Sequence, residues 1–131
     1  MTDLISKPRH RVLVVDDDVA LRTALGLSLS RAGYEVGYAG DGKEAVSMHY
    51  RSPFDVIVTE IVMPEKDGLE TLMELRRQPS PTRIIAMSKD GQVSAELCLR
   101  LAECLGAHCV LAKPFLPGQL VAAVRKVIGE V

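Results

Sequence analysis

The amino-acid sequence predicts an α/β fold in which one parallel sheet is covered by helices on both faces. Short segments rich in Val, Ile and Leu alternate with longer segments of helical periodicity, as in repeated βαβ units. Several of the apolar segments are continuous, which is typical of strands that are buried on both faces. The chain has 131 residues, enough for one domain with a substantial core. We therefore expect a single domain over residues 11–131, preceded by a flexible tail over residues 1–10.

Five segments have the composition of strands, and helical segments separate them. The second of these alternates polar and apolar side chains, which favours an edge position where part of the strand meets water. Right-handed crossovers make a doubly wound sheet the simplest topology, and the flavodoxin-like strand order 2-1-3-4-5 is the commonest choice for five strands. The predicted strands cover residues 12–15, 34–39, 55–59, 83–87 and 109–112.

Start and stop signals delimit the five predicted helices. Asp18 is a natural N-cap for the first helix, and Gly33 is suited to the position just after its end. Asp41 followed by Glu44 resembles a capping box at the start of the second. The third is predicted over 68–77 and the fourth over 94–105, while Pro117 begins the fifth. Their periodic apolar residues are interpreted as core positions, and in the first helix these are Leu21, Ala24, Leu25, Ser28, Leu29 and Ala32.

Charge and hydropathy exclude several classes of partner. Sixteen Lys and Arg residues stand against seventeen Asp and Glu, a formal net charge of −1. This balance gives no reason to expect a nucleic acid or an anionic membrane as a direct partner. No apolar segment approaches the roughly 20 residues that span a bilayer, and the first residues lack the pattern of a signal peptide. A cytoplasmic location is expected.

The cysteines and histidines form no metal or disulfide pattern. The cysteines are odd in number, lack CxxC spacing and lie in apolar surroundings, which predicts buried, reduced thiols at Cys98, Cys104 and Cys109. The histidines have no neighbouring pair of ligands. Surface or loop positions are therefore expected for His10, His49 and His108.

Polar side chains follow four of the five strands, at the carboxyl edge where α/β sheets bind ligands. Acids at 16–18 follow the first strand, Thr59 and Glu60 end the third, Ser88 follows the fourth, and Lys113 follows the fifth. Asp18 is assigned to helix capping, and Asp16 and Asp17 to the cluster. Clustered carboxylates repel one another unless a cation intervenes, and oxygen ligands suit Mg²⁺. The sequence therefore predicts a site with Mg²⁺ as cofactor.

Four motifs in this order resemble the receiver domain of bacterial response regulators: VVDDD at 14–18, DVIVTEIVMPEKDG at 55–68, IIAMS at 84–88, and GA at 106–107 leading to KPF at 113–115. The resemblance implies a signalling module rather than an enzyme. It implies phosphoryl transfer from a histidine kinase or phosphotransfer protein to an aspartate, with Mg²⁺ bound. It also implies a partner surface on the fourth and fifth helices, through which a homodimer is a plausible hypothesis.

The site residues of the family other than the phosphoacceptor have matching positions in this chain. Asp16 and Asp17 match the metal-binding acids, and Val62 matches the residue whose carbonyl oxygen binds the metal. Ser88 matches the switch hydroxyl, and Lys113 the lysine that contacts the phosphoryl group. In such a site, positioning and charge stabilisation supply the catalysis.

The match fails at the phosphoacceptor, where Glu60 replaces aspartate. Glutamate is one methylene longer, about 1.5 Å of extra reach, which places its carboxylate among the metal ligands and towards Lys113. Two interpretations remain open. Glu60 either imitates a phosphorylated aspartate by pairing with Lys113 and Ser88, or it only neutralises Lys113 in a pseudoreceiver.

Two further positions depart from the family. Val110 stands where an aromatic residue is usual, so a signal carried by a ring that swings inward is not available. Lys89 follows the switch hydroxyl, where the family favours a small residue. Its ammonium either adds a second cation to the cleft or is a solvated loop charge.

Two other classes of protein are weighed against the receiver. A phosphatase of the haloacid-dehalogenase type also uses strand-end aspartates, Mg²⁺ and a lysine, but its nucleophile belongs to a DxD motif after the first strand and the chain has no cap domain. A flavin-binding relative of flavodoxin is disfavoured because acids after the first strand would repel a phosphate.

Overall fold

The computed structural model describes residues 9–61, 68–77, 81–89, 95–104 and 106–129. Within these ranges strands and helices alternate along the chain, five of each. The strands are β1 (Arg11–Val15), β2 (Glu35–Ala39), β3 (Val56–Glu60), β4 (Arg83–Ser88) and β5 (Cys109–Ala112). The helices are α1 (Val19–Arg31), α2 (Gly42–Arg51), α3 (Gly68–Leu75), α4 (Ala95–Cys104) and α5 (Pro117–Val127).

All neighbouring strands are parallel, and their order is β2-β1-β3-β4-β5, which confirms the predicted flavodoxin-like topology. β2 lies at an edge, as its alternating sequence predicted. β1, an interior strand of the sheet, is completely buried from Val12 to Val15. Full burial of one such side chain contributes roughly 1.5–3 kcal/mol.

Alternate residues of β1 enter two separate cores, one on each face of the sheet. Leu13 and Val15 pack in a cluster that includes Leu72 of α3 and Ala102 of α4. Val12 and Val14 pack in the other, whose helical members include Leu25 and Leu29 of α1 and Leu120 and Val124 of α5. This alternation explains why the strands read as continuous apolar runs: both faces are covered.

The predicted helix signals are present in the structure. The Asp18 carboxylate accepts a hydrogen bond from the Leu21 amide, and the Asp41 carboxylate accepts one from the Glu44 amide. Gly33 adopts a positive φ of 101° directly after the C-cap of α1. One of the core positions predicted in α1 is wrong, because Ala24 is exposed. Gly26 is buried instead, against the ring of Tyr38.

Predictions for some isolated residues are wrong. His49 lies in α2 and is buried, and its Nδ1 is satisfied there by accepting a hydrogen bond from the Phe54 amide. Cys104 is exposed at the end of α4, and Cys109 is half-buried because β5 is an edge strand; both thiols are free. The side chain of Cys98 lies outside the described residues.

No described helix is long and apolar enough to cross a membrane.

Candidate functional site

The carboxyl edge of the sheet brings four of the predicted side chains into one cleft. Glu60 and Ser88 are the last residues of β3 and β4, one residue beyond the predicted ends of these strands. Asp16 follows β1, and its amide extends the pairing with β2 by donating to the Ala39 carbonyl. Lys113 follows β5, and its amide donates to the Ser88 carbonyl. The ladder itself therefore fixes the backbone of the site.

The ammonium of Lys113 lies between two carboxylates. Its Nζ is 2.6 Å from Asp16 Oδ2 and 2.6 Å from Glu60 Oε1. The Lys113 side chain is 11% exposed, and both carboxylates are completely buried. Burial alone would lower the pKa of Lys113, but hydrogen bonds and attraction from Asp16 and Glu60 outweigh it and raise that pKa. Lys113 is therefore a firmly charged ammonium.

Backbone and side-chain contacts hold Asp16 in a fixed orientation. Its Oδ1 accepts a hydrogen bond of 2.9 Å from the Asp18 amide. Its carbonyl oxygen accepts one of 2.9 Å from Nη1 of Arg22, which lies in α1. The start of α1 therefore fixes both the backbone and the carboxylate of this residue.

Glu60 is held at both carboxylate oxygens. Oε1 faces Lys113, and Oε2 accepts a hydrogen bond of 2.9 Å from the Ile61 amide. Gly68 at the start of α3 packs directly against the same backbone: a Cβ placed there would lie 2.1 Å from the Glu60 carbonyl oxygen. A side chain at position 68 would therefore displace the backbone that carries Glu60.

The Ser88 hydroxyl is not engaged by the charged groups around it. Ser88 is 1% exposed, and its Oγ has no hydrogen-bond partner among the described residues. At the rim of the cleft, Nζ of Lys89 lies 3.6 Å from Asp17 Oδ1, so this lysine adds a second cation beside the acids. Val110 is half-buried and packs against one of the two cores.

The buried carboxylate oxygens of the site already have donors beside them. Mg²⁺ takes oxygen ligands in near-octahedral geometry, but Lys113 and two backbone amides already face all four oxygens of the buried carboxylates. No three His, Cys, Asp or Glu side chains within the described part of the chain lie together as metal ligands. Val62 lies outside the described residues. The described donors therefore do not fit the predicted Mg²⁺ ion.

Comparisons with known proteins identify the family. The family model of the response regulator receiver domain matches residues 12–125. The chain belongs to this family of two-component signalling domains. The match gives no support to the alternative of a haloacid-dehalogenase-type phosphatase.

Individual relatives agree with this assignment. The chain is 36% identical over 126 residues to a protein of Guillardia theta described as "Probable transcriptional regulator ycf27", covering 96% of this chain and 48% of that relative. It thus spans about half the length of the relative. Chemotaxis protein CheY4 of Vibrio cholerae superposes with a TM-score of 0.81 at 31% identity, covering 92% of this chain and 99% of that one. The receiver domain of Francisella response regulator 1452 gives 0.82 at 29%, with coverages of 92% and 98%.

Sequence reasoning missed the contacts that hold the site in place. Arg22 is no part of the apolar pattern that predicts α1, although its position four residues after the N-cap places it one turn into the helix. The sequence indicates Gly68 only as the start of a helix. The Ile61 amide carries no side-chain signal, so only the backbone path reveals it as a donor.

Proposed function

We propose that this receiver domain transmits its signal by protein contact, without phosphorylation at residue 60. The single observation that carries the proposal is the ion pair of Glu60 with Lys113. The glutamate occupies the phosphoacceptor position of the family motif, and its carboxylate already contacts the lysine that would contact a phosphoryl group.

The orientation of Glu60 argues against a role as phosphoacceptor. An attacking carboxylate oxygen must lie in line with the phosphorus atom, but here Lys113 and the Ile61 amide face the two oxygens and fix the carboxylate in another orientation. The extra methylene also moves the carboxylate by about 1.5 Å. A misplacement of about 1 Å costs on the order of 10²-fold in rate.

Of the two roles considered for Glu60, the contacts favour a neutralising one. An imitation of a phosphorylated aspartate would engage both Lys113 and Ser88. The buried Ser88 hydroxyl has no hydrogen-bond partner among the described residues, so it makes no hydrogen bond to Glu60. We therefore propose that Glu60 neutralises Lys113 and leaves the switch hydroxyl in its resting position.

Intact mass spectrometry after incubation with Mg²⁺ and acetyl phosphate tests the proposal. The natural chain should gain no phosphoryl group, whereas Glu60→Asp, with a shorter and freer carboxylate, should gain one. The Glu60→Gln variant is the control for phosphorylation of residues other than residue 60, and it should stay unmodified. Phosphorylation of the natural chain would overturn the proposal.

Hydrogen exchange separates the neutralising role from imitation. Exchange of the β4 amides in the natural chain should match that of unphosphorylated Glu60→Asp. A match to the phosphorylated form of that variant would instead identify Glu60 as an imitation of the phosphorylated state.

The proposed partners are those of two-component signalling: a histidine kinase or phosphotransfer protein, bound without accepting its phosphoryl group. A homodimer through α4 and α5 is proposed as well, because this is the usual partner surface of the family; Leu116, directly before α5, is 72% exposed and offers a position at which to test it. Light scattering should show a mass that rises with concentration for the natural chain and stays monomeric for Leu116→Asn. A concentration-independent monomer in both would contradict the dimer.

A further inference from the structure

The buried cleft contains its own cation. We propose that the Lys113 ammonium is the permanent counter-ion of Asp16 and Glu60, in the place where a divalent ion would otherwise bind, so that the domain keeps its fold and its cleft without Mg²⁺. The inference rests on the ion-pair geometry alone and does not need the proposed signalling role.

Geometry makes the ammonium an effective bridge. Nζ lies 2.6 Å from one oxygen of each carboxylate, and the three charged groups are buried or nearly so. Close approach in a water-poor site strengthens attraction between opposite charges. A fully buried carboxylate without a partner would be costly, so one lysine compensates two groups at once.

An incoming divalent ion would have to break existing contacts. The remaining oxygens, Asp16 Oδ1 and Glu60 Oε2, accept backbone hydrogen bonds from Asp18 and Ile61. A metal that took either carboxylate oxygen facing Lys113 would displace the ammonium inside a pocket where its side chain is only 11% exposed. Lys89 beside Asp17 adds a second positive charge that would repel the ion at the rim.

The length of Glu60 makes this arrangement possible. An aspartate would withdraw the carboxylate by about 1.5 Å, so that the ammonium would have to move or lengthen its contact with one of the two groups. One carboxylate would then turn to another cation. The single methylene at position 60 thus decides whether the cluster is neutralised by the protein or by a metal.

Calorimetric titration with Mg²⁺, combined with thermal unfolding in Mg²⁺ or chelator, tests this proposal. The natural chain should show no saturable binding at millimolar Mg²⁺ and the same unfolding temperature in both buffers. Glu60→Asp should bind Mg²⁺ at least about 10-fold more tightly, and its unfolding temperature should rise with the ion. The control Glu96→Asp shortens an exposed glutamate in α4 and should behave like the natural chain.

Two results would overturn the proposal: saturable Mg²⁺ binding by the natural chain at millimolar concentrations, or Glu60→Asp gaining no affinity over the natural chain. The titration reads metal affinity, and the mass experiment on the natural chain reads phosphoryl transfer. A natural chain that binds Mg²⁺ yet stays unphosphorylated would refute the counter-ion alone. One that is phosphorylated would refute the proposed function.

Discussion

At the scale of single residues, Glu60 is held by two donors that need two acceptor oxygens. Lys113 faces one carboxylate oxygen and the Ile61 amide the other. An amide side chain offers only one oxygen, so Glu60→Gln leaves one donor facing an NH₂ group. We expect this variant to lose about 1–3 kcal/mol of unfolding free energy, the cost of one unsatisfied buried group. Urea denaturation measures it.

A matched control is available on the surface. Glu96 pairs with Arg100 one turn along α4, and both side chains are well exposed. Exposed pairs contribute little, so Glu96→Gln should leave the urea midpoint unchanged. Equal midpoints for the two glutamine variants would contradict the role given to the buried carboxylate.

Gly68 is required by a close approach of two backbone segments. A Cβ at this position would lie 2.1 Å from the Glu60 carbonyl oxygen and 2.6 Å from the Ile61 Cα, and neither atom can move without shifting the strand end. Gly68→Ala should therefore lower the unfolding temperature and disturb the site. Gly118→Ala, where nothing lies within 4 Å, should be neutral or stabilising by up to about 1 kcal/mol. Calorimetry on both variants decides, and a neutral Gly68→Ala would refute the contact.

At the scale of elements, the cap of α1 also supports the site. The Asp18 carboxylate accepts from the Leu21 amide, while the Asp18 amide donates to Asp16. Asp18→Ala removes the first contact and should cost about 1 kcal/mol, whereas Asp18→Asn keeps an acceptor and should lose only part of that. Chemical denaturation of both variants measures the difference. Equal losses would show that the side-chain cap contributes nothing.

Local signals in the sequence were sufficient to predict the elements but not their exact ends. Strand composition, Asp18, Asp41 and Gly33 marked where strands and helices lie, because these effects act over a few residues. The ends of β3 and β4 extend one residue further, to Glu60 and Ser88, since the ladder continues for as long as neighbouring strands offer partners. That extension depends on other strands and cannot be read from the local sequence.

The proximity of Asp16, Glu60 and Lys113 was predictable, and so was the pair of Glu60 with Lys113, but the bridge from Lys113 to Asp16 was not. The rule that ligands lie at the carboxyl ends of parallel strands brought Asp16 and Lys113 together across 97 positions of sequence. It gave no distances, so it could not show that Lys113 bridges both carboxylates and leaves the Ser88 hydroxyl without a described partner. Side-chain length and rotamer decide those contacts within about 1 Å.

At the scale of the whole molecule, two histidines lie at the amino ends of the strands, opposite the candidate site, and each accepts a hydrogen bond from a backbone amide. Nδ1 of His49 accepts from the Phe54 amide just before β3, and Nδ1 of His108 accepts from the Ile84 amide in β4. The pKa of His49 is lowered mainly by burial and further by repulsion from Arg11. The pKa of His108 is lowered mainly by burial and further by repulsion from Arg76 and Arg83. Each ring is therefore held neutral as an acceptor.

These lowered pKa values predict acid sensitivity. The unfolded chain binds protons at both histidines near the ordinary pKa of 6.5, and the folded chain only below it. The contribution of the two histidines is therefore fully present above about pH 6.5 and is lost as the pH falls through the folded-state values. Lys113 stays charged throughout this window, since its pKa is raised above 10.5.

Urea unfolding at about pH 7.5 and about pH 5.5 should show a lower free energy of unfolding at the acidic value. The double variant His49→Asn/His108→Asn provides an amide oxygen that can accept from the same backbone amides but does not titrate in this range. Its loss between the two pH values should be clearly smaller than that of the natural chain. An equal loss in both proteins would show that other groups set the acid limit, and that the two histidines act only as packing residues at the amino edge of the sheet.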